Sequence, residues 1–181
     1  MAHGTEKKIM DAALKEFAEK GYAGAKTKAI ADRSGLSEMT LFRRFKTKRN
    51  LFNQVLLKNQ NKVVNDFNLI FKGEIKSSDD FFKTMVKLLL NMAEDNFDFV
   101  SVIVLERQSI SGDIIADLMT YLTEVMDKTF PDTKIDSKVY VFNVLSFVNF
   151  MVLDKRKDRN FVDHEDAIEK FIEYSTKCLK L

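Results

Sequence analysis

The sequence predicts an all-α protein, and three observations predict it. Among 181 residues there are one Pro and six Gly, too little punctuation for the many turns of a β-sandwich or barrel. Sixteen Phe and eight Met fall largely into stripes with helical spacing, and 45% hydrophobic content is enough for a real core. The lone Cys178 cannot form an internal disulfide. We read neither a secretory leader nor an apolar run of about 18 residues, so the expected location is the cytoplasm, with no membrane association.

The first helix is expected from Thr5 to Lys20, with Ile9, Ala13 and Phe17 on one stripe and Gly21 as its stop. Thr27 to Ser34 follows, with Ile30 and Ala31 inward and Gly35 placed for a left-handed C-terminal cap. Ser37 can cap a third helix, Glu38 to Phe45, whose Leu41 and Phe45 share a face. Two short helices joined by a Gly-containing turn make a helix-turn-helix. A long helix then runs from Lys48 to near Gly73.

Ser77 or Ser78 with Asp79 and Asp80 is a good start for the next helix, carrying Phe81, Phe82, Met85, Leu88, Leu89 and Met92. The run Phe97 to Leu105 is β-branched and nearly continuous, which by pattern alone also suits a buried strand; with no second strand to pair it, we assign helix. Asp113 to Thr129 repeats apolar residues from Ile115 to Met126 and is closed by Pro131. In 139–153, twelve of fifteen residues are apolar or Tyr, which predicts a helix buried on both sides. The last helix, Asp163 to Lys180, has an apolar stripe with acids at its start and lysines at its end.

The formal net charge of +2 hides an asymmetry. Residues 1–60 hold thirteen Lys and Arg against six Asp and Glu, net +7, leaving −5 for the rest. Between Lys26 and Arg49 eight cations, including Arg33, Lys46 and Arg49, are opposed only by Asp32 and Glu38. The N-terminal third is therefore the expected anion-binding end.

Within Ile9 to Leu56, the residues Ala12-Ala13, Phe17, Gly21-Tyr22, Ile30-Ala31, Gly35-Leu36-Ser37, Thr40-Leu41-Phe42, Phe45, Lys48 and Leu51 occur in a distinctive order and spacing. This stretch, about a quarter of the chain, resembles the DNA-binding domain of the TetR family of transcriptional regulators. The resemblance implies a three-helix DNA-binding domain over 1–50 and a helical effector-binding and dimerisation domain over 51–181. The second helix of such a motif lies in the major groove while its flanks hold phosphates.

Here that helix presents Ser37, Glu38, Met39, Thr40, Arg43 and Arg44. Arg43 suits guanine O6 and N7, Glu38 suits cytosine N4, and Thr40 or Met39 suits a thymine methyl. Lys48 matches the family position that meets a backbone phosphate beside the free amides of a helix start. Lys26, Lys28 and Arg44 are further expected phosphate contacts. Two positions depart from the family pattern: Lys26 stands where Thr or Ser is usual, so that either Thr27 takes the cap or Lys26 supplies charge, and Phe42 replaces the usual Tyr. The latter change removes a hydrogen bond worth about 1 kcal/mol.

The resemblance also implies that the C-terminal helices bind a small-molecule effector and pair two subunits, with 139–153 and 163–180 as the dimer helices. A two-fold dimer places its recognition helices about 34 Å apart and predicts a palindromic operator for duplex DNA. A ligand that favours the wrong spacing then releases it, so the expected role is a ligand-released repressor. Phe and Met offer an adaptable apolar wall for an effector. The expected lining is Phe71, Phe82, Met85, Leu89 and Met92, then Phe99 and Ile103, then Met119, Leu122 and Phe147, with Glu106 set to answer a cationic group. Asn143, Ser146 and Asn149 span an arc of about 120° that faces either ligand or partner helix.

Two other functional classes are open to an all-α chain of this size. An enzyme needs machinery, and there is no Gly-rich phosphate loop, paired-His metal spacing or nucleophile motif; no catalysis, metal or cofactor is expected. A helical protein-interaction adaptor would keep the basic turn as plain surface and show no salt-sensitive binding to duplex DNA.

Overall fold

The structure is a computed structural model describing residues 2–70, 78–106, 110, 114–156 and 161–179. Among them the helices are α1 (Ala2–Gly24), α2 (Thr27–Ser34), α3 (Glu38–Phe45), α4 (Lys48–Ile70), α5 (Ser78–Asp95), α6 (Phe97–Leu105), α7 (Ile114–Thr129), α8 (Ser137–Arg156) and α9 (His164–Leu179). No strand occurs among the described residues, so the apolar run at Phe97 is a helix and the protein is all-α. The expected ends of α4 at Gly73 and of α9 at Lys180 lie outside the described residues.

The chain divides into two compact units, 1–68 with 96–113 and 69–95 with 114–181. The expected boundary after residue 50 falls inside the first unit. The first unit recruits α6, because Phe99, Val102 and Ile103 bury their side chains and α6 packs on α1.

In the first unit Ile9, Ala13 and Phe17 of α1 are fully buried with Ile30, Leu41, Leu51, Phe52 and Val55. The Phe17 ring meets Phe52 edge-on at 5.0 Å, and Tyr22 lies 4.9 Å from Phe52. Gly35 adopts φ 70°, ψ 28°, the left-handed cap, while Leu36 donates its N–H to the Ala31 carbonyl. Gly21 is a different case. Helical geometry continues to Gly24, but Gly21 itself sits at φ 67°, ψ 170°, a region essentially reserved for glycine. The break frees the N–H of Tyr22, which donates to Oε1 of Glu106, the C-cap residue of α6, at 2.8 Å.

The second unit packs α8 against α5 and α7, and α9 against α5. Phe82, Met85, Val86 and Leu89 are buried with Leu122, Met126, Tyr140, Val141, Val144, Val148 and Met151. Phe147 stacks on Phe171 with centroids 3.9 Å apart. Burial raises the Tyr140 hydroxyl well above the ordinary tyrosine value, and it donates to the Ser175 carbonyl at 3.2 Å. The buried Asp154 carboxylate joins α8 to the start of α9, accepting from Phe161 N–H at 3.2 Å and meeting His164 Nε2 at 2.9 Å.

Two expectations for the α8 region need correction. The helix is not buried all round within the chain: Val139, Phe142 and Phe150 are 56%, 58% and 49% exposed, because α5 and α7 cover one face only. It is also longer than the apolar run read from sequence, and at twenty residues it is long and apolar enough by composition to cross a membrane, though its inner face is packed.

Gly21 and Gly35, both at positive φ, give a ranked prediction. At Gly35 a methyl group meets nothing within 4 Å, so Gly35→Ala should cost about 1 kcal/mol of backbone strain. At Gly21 the added carbon falls 2.7 Å from Glu106 Oε1 and the backbone region is more hostile. Gly21→Ala should cost roughly 2–4 kcal/mol, read by denaturant titration, and equal losses at the two sites would refute the ranking.

Candidate nucleic-acid interface

The end of α3 is set by local chemistry. Ser37 is extended and its Oγ accepts from Thr40 N–H at 3.2 Å, the expected N-cap. The Ser37 and Thr40 hydroxyls also pair with each other at 2.9 Å. Leu41 and Phe45 are buried, which turns the opposite face of the helix outward. On that face Met39 is 80% exposed, Phe42 is 40% exposed, and Arg43 is exposed with no hydrogen-bond or ion-pair partner among the described residues.

Glu38 is already engaged: it accepts the Thr27 hydroxyl through Oε1, so Thr27 bridges α2 to α3 instead of capping its own helix. Lys26 occupies the α2 N-cap position without a side-chain cap bond, and both Lys26 and Lys28 are exposed. Of the two readings for this position, the structure therefore leaves Lys26 as an exposed charge.

The cations divide into committed and uncommitted groups. Arg33 makes a paired contact with Glu19 at 2.8 Å through both terminal nitrogens and lies 3.6 Å from Glu16. Its hydrogen bond holds the Glu19 carboxyl below the ordinary range, although the pair is solvated and contributes little to stability. Arg44 turns back to Glu6 at 3.3 Å. Lys48 reaches the Ala23 carbonyl at 3.4 Å and lies 4.8 Å above the Tyr22 ring, with the Arg49 guanidinium 5.2 Å from the same ring.

The joint between α3 and α4 contains residues that the sequence reading passed over. Lys46, at φ 63°, ψ −49°, is the centre of a strained γ-turn closed by Thr47 N–H to the Phe45 carbonyl at 2.7 Å. Thr47 then caps α4 by accepting from Asn50 N–H at 3.0 Å, and Asn50 Nδ2 donates to the Phe45 carbonyl at 2.8 Å. The Thr47 cap three residues before Asn50 was legible as a helix-start pattern; the Lys46 conformation had no signal. Together they set where Lys48 and Arg49 begin α4.

The expected effector residues separate. Phe82, Met85, Leu89, Met92, Met119, Leu122 and Phe147 belong to the second unit, while Phe99, Ile103 and Glu106 belong to the first; Phe71 lies outside the described residues. The second unit also holds an open groove of about 750 Å³ between α8 and α9, lined by Val139, Tyr140, Asn143, Phe171, Tyr174 and Cys178 among others. No cluster of three His, Cys, Asp or Glu suited to a metal occurs among the described residues.

Residues 9–55 match the family model described as bacterial regulatory proteins, tetR family. Residues 9–55 therefore carry a tetR-type N-terminal domain. The HTH-type transcriptional regulator YvkB of Bacillus subtilis is 44% identical over 52 residues, a match spanning 29% of this chain and 28% of that protein. The TetR-type fold extends over the whole chain. A tetR-family regulatory protein from Rhodococcus RHA1 superposes with a TM-score of 0.75 at 20% identity, covering 97% of this chain and 96% of its own. FadR of Bacillus subtilis, solved with stearoyl-CoA, gives 0.69 at 12% identity over 95% and 98% of the two chains.

The α3 cap supplies a direct check. Ser37→Ala removes the side-chain acceptor, leaving Thr40 N–H only the Ser37 carbonyl at 2.9 Å, and should lower stability by about 1 kcal/mol, seen as a lower melting temperature by circular dichroism. An unchanged melting temperature would mean that the cap does not hold the start of α3.

Proposed function

We propose that this chain is a TetR-family transcriptional regulator that binds a palindromic duplex operator as a homodimer and is released from it by a small, largely apolar effector. The observation that carries the reading is the outward face of α3. Its Met39, Phe42 and Arg43 project together from a capped helix, flanked by Lys26 at the N-cap of α2, by Lys28 on α2 and by Lys48 and Arg49 on α4. This is the arrangement that groove reading requires: uncommitted side chains at the centre and cations at the margin.

Within that reading Arg43 is the base-reading group, with Met39 and Thr40 for methyl contacts, and Glu38 keeps Oε2 for a cytosine amine while Oε1 holds Thr27. Lys26, Lys28 and Lys48 serve phosphates, with Arg44 joining them if it leaves Glu6. Ser37 and Phe42 support the helix start and its packing against the backbone.

The dimer is supported by the apolar residues that α8 leaves exposed. Val139, Phe142 and Phe150 lie with Asn143, Ser146 and Asn149 on the side of the helix turned from the core, and Tyr174 of α9 is 59% exposed. A second copy would cover them, which favours the interface role for the Asn and Ser arc. The effector is proposed to seat among Phe82, Met85, Leu89, Met92, Met119, Leu122 and Phe147. FadR, of the same fold, is solved with the acyl ligand stearoyl-CoA, and an apolar wall suits ligands of that class.

Two measurements test this reading. On duplexes carrying every base at each operator position, Arg43→Ala should relax preference at one position per half-site by about 1–3 kcal/mol. Lys48→Ala should weaken all sequences alike and reduce the salt slope by about one. Equal losses from both variants across all sequences would refute the division of roles. In sedimentation, Phe142→Glu should raise the dimer dissociation constant at least about tenfold while the chain stays helical. A wild-type monomer, or a variant still fully dimeric, would refute the proposed interface.

A further inference from the structure

Glu106 is the C-cap residue directly after α6, at a position whose sequence context suggests an answer to a cationic ligand. Its carboxylate is instead committed inside the first unit. Oε1 takes the Tyr22 N–H at 2.8 Å and sits where any side chain at Gly21 would have to go. The amide it accepts is the one that the Gly21 break removes from the α1 ladder, and after the break Ala25 N–H bonds the Gly21 carbonyl at 3.0 Å. Glu106 therefore caps the restarted turn 22–25 from 84 residues away. A charged acceptor on a helix-start amide is among the stronger hydrogen bonds available to a side chain.

What that turn carries is the Tyr22 ring. The ring leans on Phe17 and Phe52 on one side and presents its face to the Lys48 ammonium and the Arg49 guanidinium, while the Ala23 carbonyl of the same turn accepts from Lys48. Two long, flexible cations at the start of α4 are thereby held in one place on a platform whose backbone is anchored by α6. Held cations lose less conformational freedom when a phosphate arrives.

We propose that Glu106 is a positioning residue for DNA binding: by capping the α1 turn at Tyr22 it sets the aromatic platform that presents Lys48 and Arg49 to the phosphate backbone. The inference rests on the DNA-binding reading above, and it assigns to α6 a part in building the interface that touches no nucleotide.

The test uses the full chain and a labelled duplex of mixed sequence at low salt, since phosphate contacts need no operator. Each variant is first shown to be helical by circular dichroism at the assay temperature. Glu106→Ala should bind about tenfold more weakly, Glu106→Gln, which keeps an acceptor oxygen, should stay within about twofold of wild type, and adding Glu106→Ala to Lys48→Ala should cost less than about twofold more. A purely structural role would lower the melting temperature and leave affinity below it unchanged. Should Glu106→Ala fail to fold, Glu106→Asp keeps the charge but withdraws the oxygen, and a several-fold loss of affinity supports the role while wild-type affinity overturns it. Wild-type affinity in a folded Glu106→Ala protein, or fully additive losses in the double variant, overturns the positioning role and leaves the DNA-binding reading standing. No duplex binding by the wild-type chain removes that reading itself.

Discussion

The carboxylate of Glu106, the C-cap residue of α6, satisfies the amide that Gly21 leaves open in α1, and the last turn of α1 takes its place from that bond. An unbroken helix would carry Tyr22 onward at 100° per residue and move the ring relative to Phe17 and Phe52. With the break, the ring packs against both phenylalanines and turns its outer face to Lys48 and Arg49. The constraint is local, but it links three helices that are far apart in sequence. It also accounts for α6 belonging to the first packing unit while most of the chain around it belongs to the second.

The charge of the N-terminal third is not one undifferentiated patch. Arg33 and Arg44 are drawn into pairs with Glu19 and Glu6, so they stitch α2 and α3 to α1. Arg43, Lys26 and Lys28 project without such partners among the described residues. Geometry makes this division. Arg33 and Arg44 lie on helix faces turned toward the acidic residues of α1, whereas Arg43 is one residue on from Phe42 and about 100° further round the helix. The +7 counted over residues 1–60 thus overstates what a polyanion would meet.

Much of this was legible from residues alone. Glycine at 35 and serine at 37 specify the turn and cap of the helix-turn-helix by local chemistry, and the structure has both. The 97–105 run was assigned to helix correctly, but where it packs was not legible: a continuous apolar segment has no periodic face, so nothing in it pointed to α1. The partner of Glu106 was not legible for a related reason. An acid at the end of an apolar run signals exposure or a ligand, and its true partner is a backbone amide that exists only because Gly21 breaks a helix 84 residues earlier. The reading of 139–153 as buried on both sides rested on composition, and the packing of one chain covers a single face.

The most direct measurement is selection of the purified chain on a library of randomised duplexes, followed by salt titration of the enriched sequences. The account predicts a palindromic winner with half-sites about one helical turn apart and an affinity that falls steeply with salt. No enriched sequence from a folded, dimeric protein, or binding indifferent to salt, would contradict it.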